Sequence, residues 1–387
     1  MEERAGERRP CFDSPLPFPL QCARGKGDES PALSLFSQEF ELRTALAGGI
    51  LRLRMAGLEN TGKGGILVVR GGALGDFILT LPVLAALRLR FPRRRLEILG
   101  YPSAASLAVA AGLADDVAAL ESPRLAGFFV PDGSWPAEVA AWFAGFECIL
   151  SFLHDPAGVF RSNLARCSSA NFIAGPHRPD ESLGIHATEL LLRPLQALGI
   201  RGADPRPRLP LSAPLARPPR LALHPGSGSD RKNWPEPRWA ELLQRLARQT
   251  ACDFLLIGGE AEGDRCARLA AALPHGRVRL AQNLPLPDLA RLMRACSAFL
   301  GHDSGVTHLA AALDLPGLAL WGETDLTTWR PQSPRLKILR HPGGLEALPV
   351  PAVWAALRSF ALAARSKTTN SCSSRRQEAQ ISSKTRP

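Results

Sequence analysis

Several things are scarce in this 387-residue chain, and each scarcity narrows its function. The eight cysteines, at positions 11, 22, 148, 167, 252, 266, 296 and 372, form no C-x-x-C pair. Neither a zinc site nor a redox dithiol is therefore signalled. Cys252 and Cys296 sit among apolar residues, as expected of a reduced, cytoplasmic protein. Aromatics are sparse at 6%, and Tyr101 is the only tyrosine, so no run of rings interleaved with basic residues offers a platform for single-stranded nucleic acid. No segment approaches the ~20 apolar residues of a membrane span. The charged, Pro-rich start also lacks the apolar stretch of a signal peptide. Acidic residues are outnumbered, 36 against 47 Lys and Arg, giving a net charge of +11. That excess fits anionic partners or a compositional bias towards arginine, and both readings stand.

What is present is alternation. Residues 1–64 show little periodicity and are expected to form a poorly ordered extension; regular structure is expected just after Met55, which is therefore a candidate start. From Ile66, short apolar runs alternate with longer amphipathic stretches, the texture of parallel α/β structure. Strands are expected at Ile66–Val69, Leu96–Leu99, Cys148–Phe152 and Asn171–Ala174. Helices are expected at Phe77–Arg90, with Pro82 near its start or at a kink, and at Ser103–Ala111, Val159–Arg166 and Ile185–Leu198. Residues 201–220 contain six prolines, which neither a helix nor a central strand tolerates. This is the expected linker. The pattern then restarts, with strands at Leu221–His224, Phe254–Ile257, Ala298–Leu300 and Leu318–Trp321. The helices between and after them are expected at Arg238–Arg248, Glu262–Leu273, Leu286–Ala295, Ser304–Leu313 and Val353–Ala364. The expected organisation is an extension over 1–64, one domain over 65–204, a linker over 205–219, a second domain over 220–364 and a disordered tail over 365–387. Two such sheets would bind ligand outside the carboxyl ends of their strands.

Four strand-to-helix junctions carry candidate chemistry. The first, Arg70 to Asp76, places glycines in a tight turn and a carboxylate at or near a helix N-terminus. Asp76 there is either a helix-capping residue or a base able to accept a proton from a hydroxyl. A dinucleotide fingerprint would need glycine at position 70, and Glu97 lies mid-strand, so a dehydrogenase reading is weak. The second, His224 to Pro235, is a Gly/Ser loop carrying Arg231 and Lys232, either a phosphate cradle or a flexible turn. The third, Gly258 to Glu262, offers acids for ribose hydroxyls, or simply favourable charge in a first helical turn. The fourth, Gly301 to Ala312, gathers most polar groups. Ser304 can cap the helix, Gly305 and its neighbours offer free N–H groups to an anion, and His308 shares a face with Ser304. Its G-H-D-S-G order is not the G-x-S-x-G of a hydrolase elbow.

Three of these segments together resemble glycosyltransferase family nine, the lipopolysaccharide heptosyltransferase family: RGGALGDFILTLPVLAAL, HPGSGSDRKNWPEPRWAELL and GHDSGVTHLAAALDLPGLALWGETD. The resemblance covers roughly Ile66 to Trp321. It implies a GT-B fold, two Rossmann-like domains facing each other across a cleft. It further implies inverting, metal-independent transfer of a sugar, heptose in the family's best-known members, from an ADP-sugar to a lipopolysaccharide or related glycan acceptor. By the same resemblance Asp76 is the general base, and Lys232 with Ser304 and Gly305 meets the charge on departing ADP. Asp303 and His308 position the donor, Glu262 (or Glu260) holds the ribose, Ser227 lines the phosphate loop and Leu284 borders the base. No metal or other cofactor is implied. The expected partners are the nucleotide-sugar and a glycolipid or glycan, without nucleic acid. Arg88, Arg90, Arg93, Arg94 and Arg95 suggest peripheral contact with the inner membrane face, or a solvated charge run. A nucleotide-sugar epimerase and a non-catalytic nucleotide-sugar-binding protein are the alternatives. Residues 101–215 match no motif, so the acceptor is not identified by sequence.

Overall fold

The computed structural model describes residues 64–358 and 360. The expected extension, save Gly64, the candidate start at Met55 and the tail over 365–387 lie outside these residues. The described residues form two parallel α/β domains within one compact unit.

The first domain runs β1 (Gly65–Arg70), α1 (Leu74–Arg90), β2 (Leu96–Gly100), α2 (Pro102–Ala110), β3 (Asp116–Ala119), α3 (Ala137–Ala144), β4 (Phe146–Ser151), α4 (Val159–Ala165), β5 (Asn171–Ala174) and α5 (Ala187–Leu192). Its strand order is β3-β2-β1-β4-β5, all parallel. The central strand GILVVR is buried throughout, because helices cover both faces of such a sheet.

The second domain runs β6 (Arg220–Leu223), α6 (Glu236–Gln249), β7 (Asp253–Gly258), α7 (Arg265–Ala271), β8 (Val278–Gln282), α8 (Leu286–Arg294), β9 (Ala298–His302), α9 (Gly305–Ala312), β10 (Gly317–Leu320), α10 (Leu326–Trp329), β11 (Leu336–Leu339) and α11 (Gly344–Ala347), then a helix over 350–358. Its order is β11-β10-β9-β6-β7-β8, again parallel. In each sheet the order reverses once, between β1 and β4 and between β6 and β9. Such reversals leave a crevice at the carboxyl ends of the strands.

The expected central strands lie where the apolar runs put them. Three strands escape the apolar pattern: β3, β8 and β11, all at sheet edges. An edge strand is half solvated, so its sequence carries charges (Asp116, Arg279, Lys337) in place of a continuous apolar run. Helix α1 starts at Leu74, three residues before the expected Phe77, which puts Pro82 well inside it. Glu262 belongs to a short 3-10 turn, Glu260–Glu262, and the helix after it begins only at Arg265.

One apolar core runs through both domains. Phe77, Leu81 and Leu84 of α1 belong to the same buried cluster as Leu309 and Ala310 of α9. The approach is closest where the helices begin. A Cβ on Gly305 would lie 2.8 Å from the Leu74 Cβ and 3.0 Å from the Gly75 backbone nitrogen. Glycine at 305 thus lets two helix N-termini meet almost backbone to backbone. The Pro-rich segment is tied to the second domain: the Leu209 N–H donates to the Ala312 carbonyl at 2.9 Å and the Ala216 N–H to that of Ala295 at 2.8 Å.

Three of the five clustered arginines are paired with carboxylates of the first domain. Arg88 pairs with Asp115 at 2.8 Å, Arg94 with Glu147 at 2.6 Å and Arg95 with Glu97 at 2.5 Å. Arg90 and Arg93 are exposed beside Leu89. Among the described residues no helix is long and apolar enough to cross a membrane.

Candidate active site

A cleft of about 770 Å³ opens where α1 and α9 begin. Of the residues expected at the site, Asp76, Lys232, Asp303, Ser304, Gly305 and His308 line it. Two junctions more than two hundred residues apart in sequence thus share one cavity.

Asp76 is the third residue of α1, and its carboxylate reaches back to accept the Ala73 N–H at 3.0 Å. It therefore occupies the acidic half of a capping box rather than the cap position itself. Gly72 makes room for it: φ there is +97°, and a Cβ would sit 2.7 Å from Asp76 Oδ2. The other oxygen, Oδ1, lies 3.4 Å from Arg70 Nη2. Arg70 is buried, so desolvation pulls its pKa down while Asp76 pulls it back up. Its Nη1 also donates to the His177 carbonyl at 2.8 Å, fixing the turn after β5 beside Asp76.

Across the cleft, Lys232 Nζ donates to Asp303 Oδ2 at 2.7 Å, and Thr324 Oγ1 donates to the same oxygen at 2.6 Å. Asp303 is buried, whereas the Lys232 side chain is 41% exposed and faces the cavity. Ser304 caps α9, accepting the Thr307 N–H at 3.4 Å. The Gly305 and Val306 N–H groups find no acceptor among the described residues. They and Lys232 form a positive lining suited to a phosphate.

The loop bearing Lys232 is pinned by a residue to which the sequence assigns no role. His302 Nε2 accepts the Trp234 N–H at 2.9 Å, and Nδ1 lies 3.2 Å from the Gly226 carbonyl. One neutral imidazole, protonated on Nδ1, thus holds both ends of the loop. Only the position of His302 at the end of a central strand could have hinted at this.

Three expected residues do not reach the cleft. Ser227 is buried; its hydroxyl donates within the loop, to Ser229 O at 2.7 Å and Asn233 Oδ1 at 2.9 Å as alternatives. Glu262 turns inward: Oε2 accepts the Gly259 N–H at 2.6 Å and Oε1 lies 3.5 Å from His224 Nε2. Glu260 is exposed. Leu284 packs on the apolar core. Conversely, His177, Arg178 and Glu181 of the first domain and Thr324, Asp325 and Trp329 of the second line the cleft without having stood out in sequence. Trp329 Nε1 donates to Glu181 Oε1 at 2.8 Å, and His186 Nε2 lies 2.8 Å from the Arg330 carbonyl, so this side of the cleft is bridged.

Burial, first of all, pushes His224 and His308 down to about 4 and His302 to about 3. In the unfolded chain these imidazoles take up protons near their ordinary 6.5. The unfolded state therefore binds more protons between those limits, and stability falls as the pH drops from about 6.5 towards about 4. Urea midpoints measured across that window should decline steadily with falling pH; a flat profile would show the three side chains are not buried neutral.

Residues 195–347 match the model of Glycosyltransferase family 9 (heptosyltransferase). Lipopolysaccharide heptosyltransferase 1 of Pseudomonas aeruginosa PAO1 is 34% identical over 151 residues, covering 39% of this chain and 41% of that protein. The chain thus spans about two fifths of that relative's length. A family 9 glycosyl transferase structure from Veillonella parvula superposes with a TM-score of 0.62 at 16% identity, covering 78% of this chain and 98% of that one. E. coli heptosyltransferase WaaC with ADP gives 0.59 at 20% identity, covering 76% and 99%. The fold is GT-B.

Proposed function

We propose that the chain, whose residues 195–347 match the model of glycosyltransferase family 9, transfers a sugar, heptose by analogy with the relatives, from an ADP-sugar to a lipopolysaccharide or related glycan acceptor. The observation that carries this reading is the abutment of α1 and α9. A carboxylate from one domain and a helix start suited to a phosphate from the other surround one cavity.

In this reading Asp76 takes the proton from an acceptor hydroxyl as its oxygen attacks the anomeric carbon. The bond from that carbon to the diphosphate breaks, and its electron pair leaves with ADP. Attack from the face opposite the leaving group inverts the anomeric centre. Lys232 and the α9 N-terminus meet the charge that develops on the diphosphate, a role open to a metal in other transferases. Asp303 holds Lys232 until the phosphates arrive, and neutral His308 hydrogen-bonds the donor. The proposed place of action is the cytoplasm.

An ADP-release assay over a panel of ADP-sugars, with extracted lipopolysaccharide precursors as acceptors and EDTA present throughout, tests this. Acceptor-dependent release of ADP with an inverted product supports it. Isomerisation of an ADP-sugar without acceptor would show an epimerase, and binding without turnover would show a non-catalytic protein.

A further inference from the structure

Every strand of the first sheet ends near one apolar shelf. Gly71 follows β1, Tyr101 follows β2, Leu120 follows β3, Leu153 lies two residues past β4 and His177 three past β5. The convergence is close. A Cβ placed on Gly71 would lie 3.5 Å from Leu120 Cδ2, 3.8 Å from Leu153 Cδ2 and 4.0 Å from Tyr101 Cε2. Leu120 and Leu153 are half-buried and rest on the core beneath. Tyr101 is 41% exposed, and its hydroxyl has no partner among the described residues. A ring that neither completes the core nor anchors a hydrogen bond has a face to spare. The shelf runs on into the cleft: the His154 ring, next to Leu153, lies 4.4 Å from that of His177, and His177 lines the cavity beside Asp76.

We propose that Tyr101, over the floor made by Gly71, Leu120 and Leu153, stacks on the apolar face of an acceptor pyranose one or two units from the attacked hydroxyl. This deepens the transferase reading above and rests on it. The chemistry is that of an aromatic face, negative through its quadrupole, against the polarised C–H bonds on one side of a sugar ring. Gly71 keeps the floor low enough for a ring to lie flat, since any side chain there would fill the space between the two leucines. The phenol oxygen is not required. The charged cleft at Asp76 then handles the reacting hydroxyl while the shelf selects an acceptor that extends beyond a single sugar.

The test uses deacylated lipopolysaccharide core oligosaccharide as probe, titrated calorimetrically into the full-length chain, with ADP titrated as the donor-side control. Tyr101→Ala should weaken oligosaccharide binding about tenfold, and Tyr101→Phe and Tyr101→Trp should preserve it. ADP binding should be unchanged in all three. Equal affinity in wild type and Tyr101→Ala would overturn the proposal, as would a loss in Tyr101→Phe matching that in Tyr101→Ala, or a wild-type chain that does not bind the oligosaccharide. A wild type that binds the oligosaccharide with this Tyr101 dependence yet turns over no ADP-sugar would instead sink the transferase reading and leave the shelf in place.

Discussion

Asp76→Asn is expected to lower sugar transfer roughly a thousandfold while ADP still binds, a loss within the range attributed to positioned acid–base groups. The amide keeps the shape of the side chain, and its carbonyl oxygen can still accept the Ala73 N–H. What it loses is the ability to take a proton. It also leaves Arg70 buried without its anion, so some stability is lost as well. Rates must therefore be compared at a temperature where circular dichroism shows both proteins folded. Wild-type turnover by the folded variant would remove Asp76 as the base.

The second large effect is expected at a residue with no side chain. Gly305→Ala adds a methyl 2.8 Å from the Leu74 Cβ and 3.0 Å from the Gly75 nitrogen, and the latter is backbone that cannot rotate away. The start of α9 must move off the start of α1. That displaces Asp76 from the donor pocket, and a misplacement of about 1 Å can cost on the order of a hundredfold in rate. The N–H of residue 305 survives the change, so ADP affinity should fall far less than kcat. Measuring both separates misalignment of the domains from loss of the phosphate site. If kcat and ADP affinity fall together, the glycine serves the phosphate and not the alignment.

Much of this molecule was legible in its sequence because buried parallel strands write continuous apolar runs. GILVVR is the central strand of the first sheet and FLLIG an interior strand of the second, and polar residues cluster past the carboxyl ends of β1, β6 and β9. Asp76, Lys232, Asp303, Ser304, Gly305 and His308 all stand at such ends, which is why the sequence located them. Ser227, Glu262 and Leu284 stand near the same ends but turn inward. Nothing in a one-dimensional pattern says which way a side chain points from a loop. Glu262 is drawn in by an N–H at Gly259 and by His224, a partner 38 positions away.

Two parallel sheets, the Pro-rich segment between them and six of the residues lining the cleft were already legible in the sequence. Those follow from local periodicity, from the φ restriction of proline and from glycine turns before helices. That Gly305 meets Gly75, that His302 grips both ends of the Lys232 loop and that Tyr101 overlooks the same shelf as Leu153 emerges only from the folded arrangement. Each of these joins residues distant in sequence through packing. Packing depends on how whole helices and sheets fit against one another, a property that no short stretch of sequence contains.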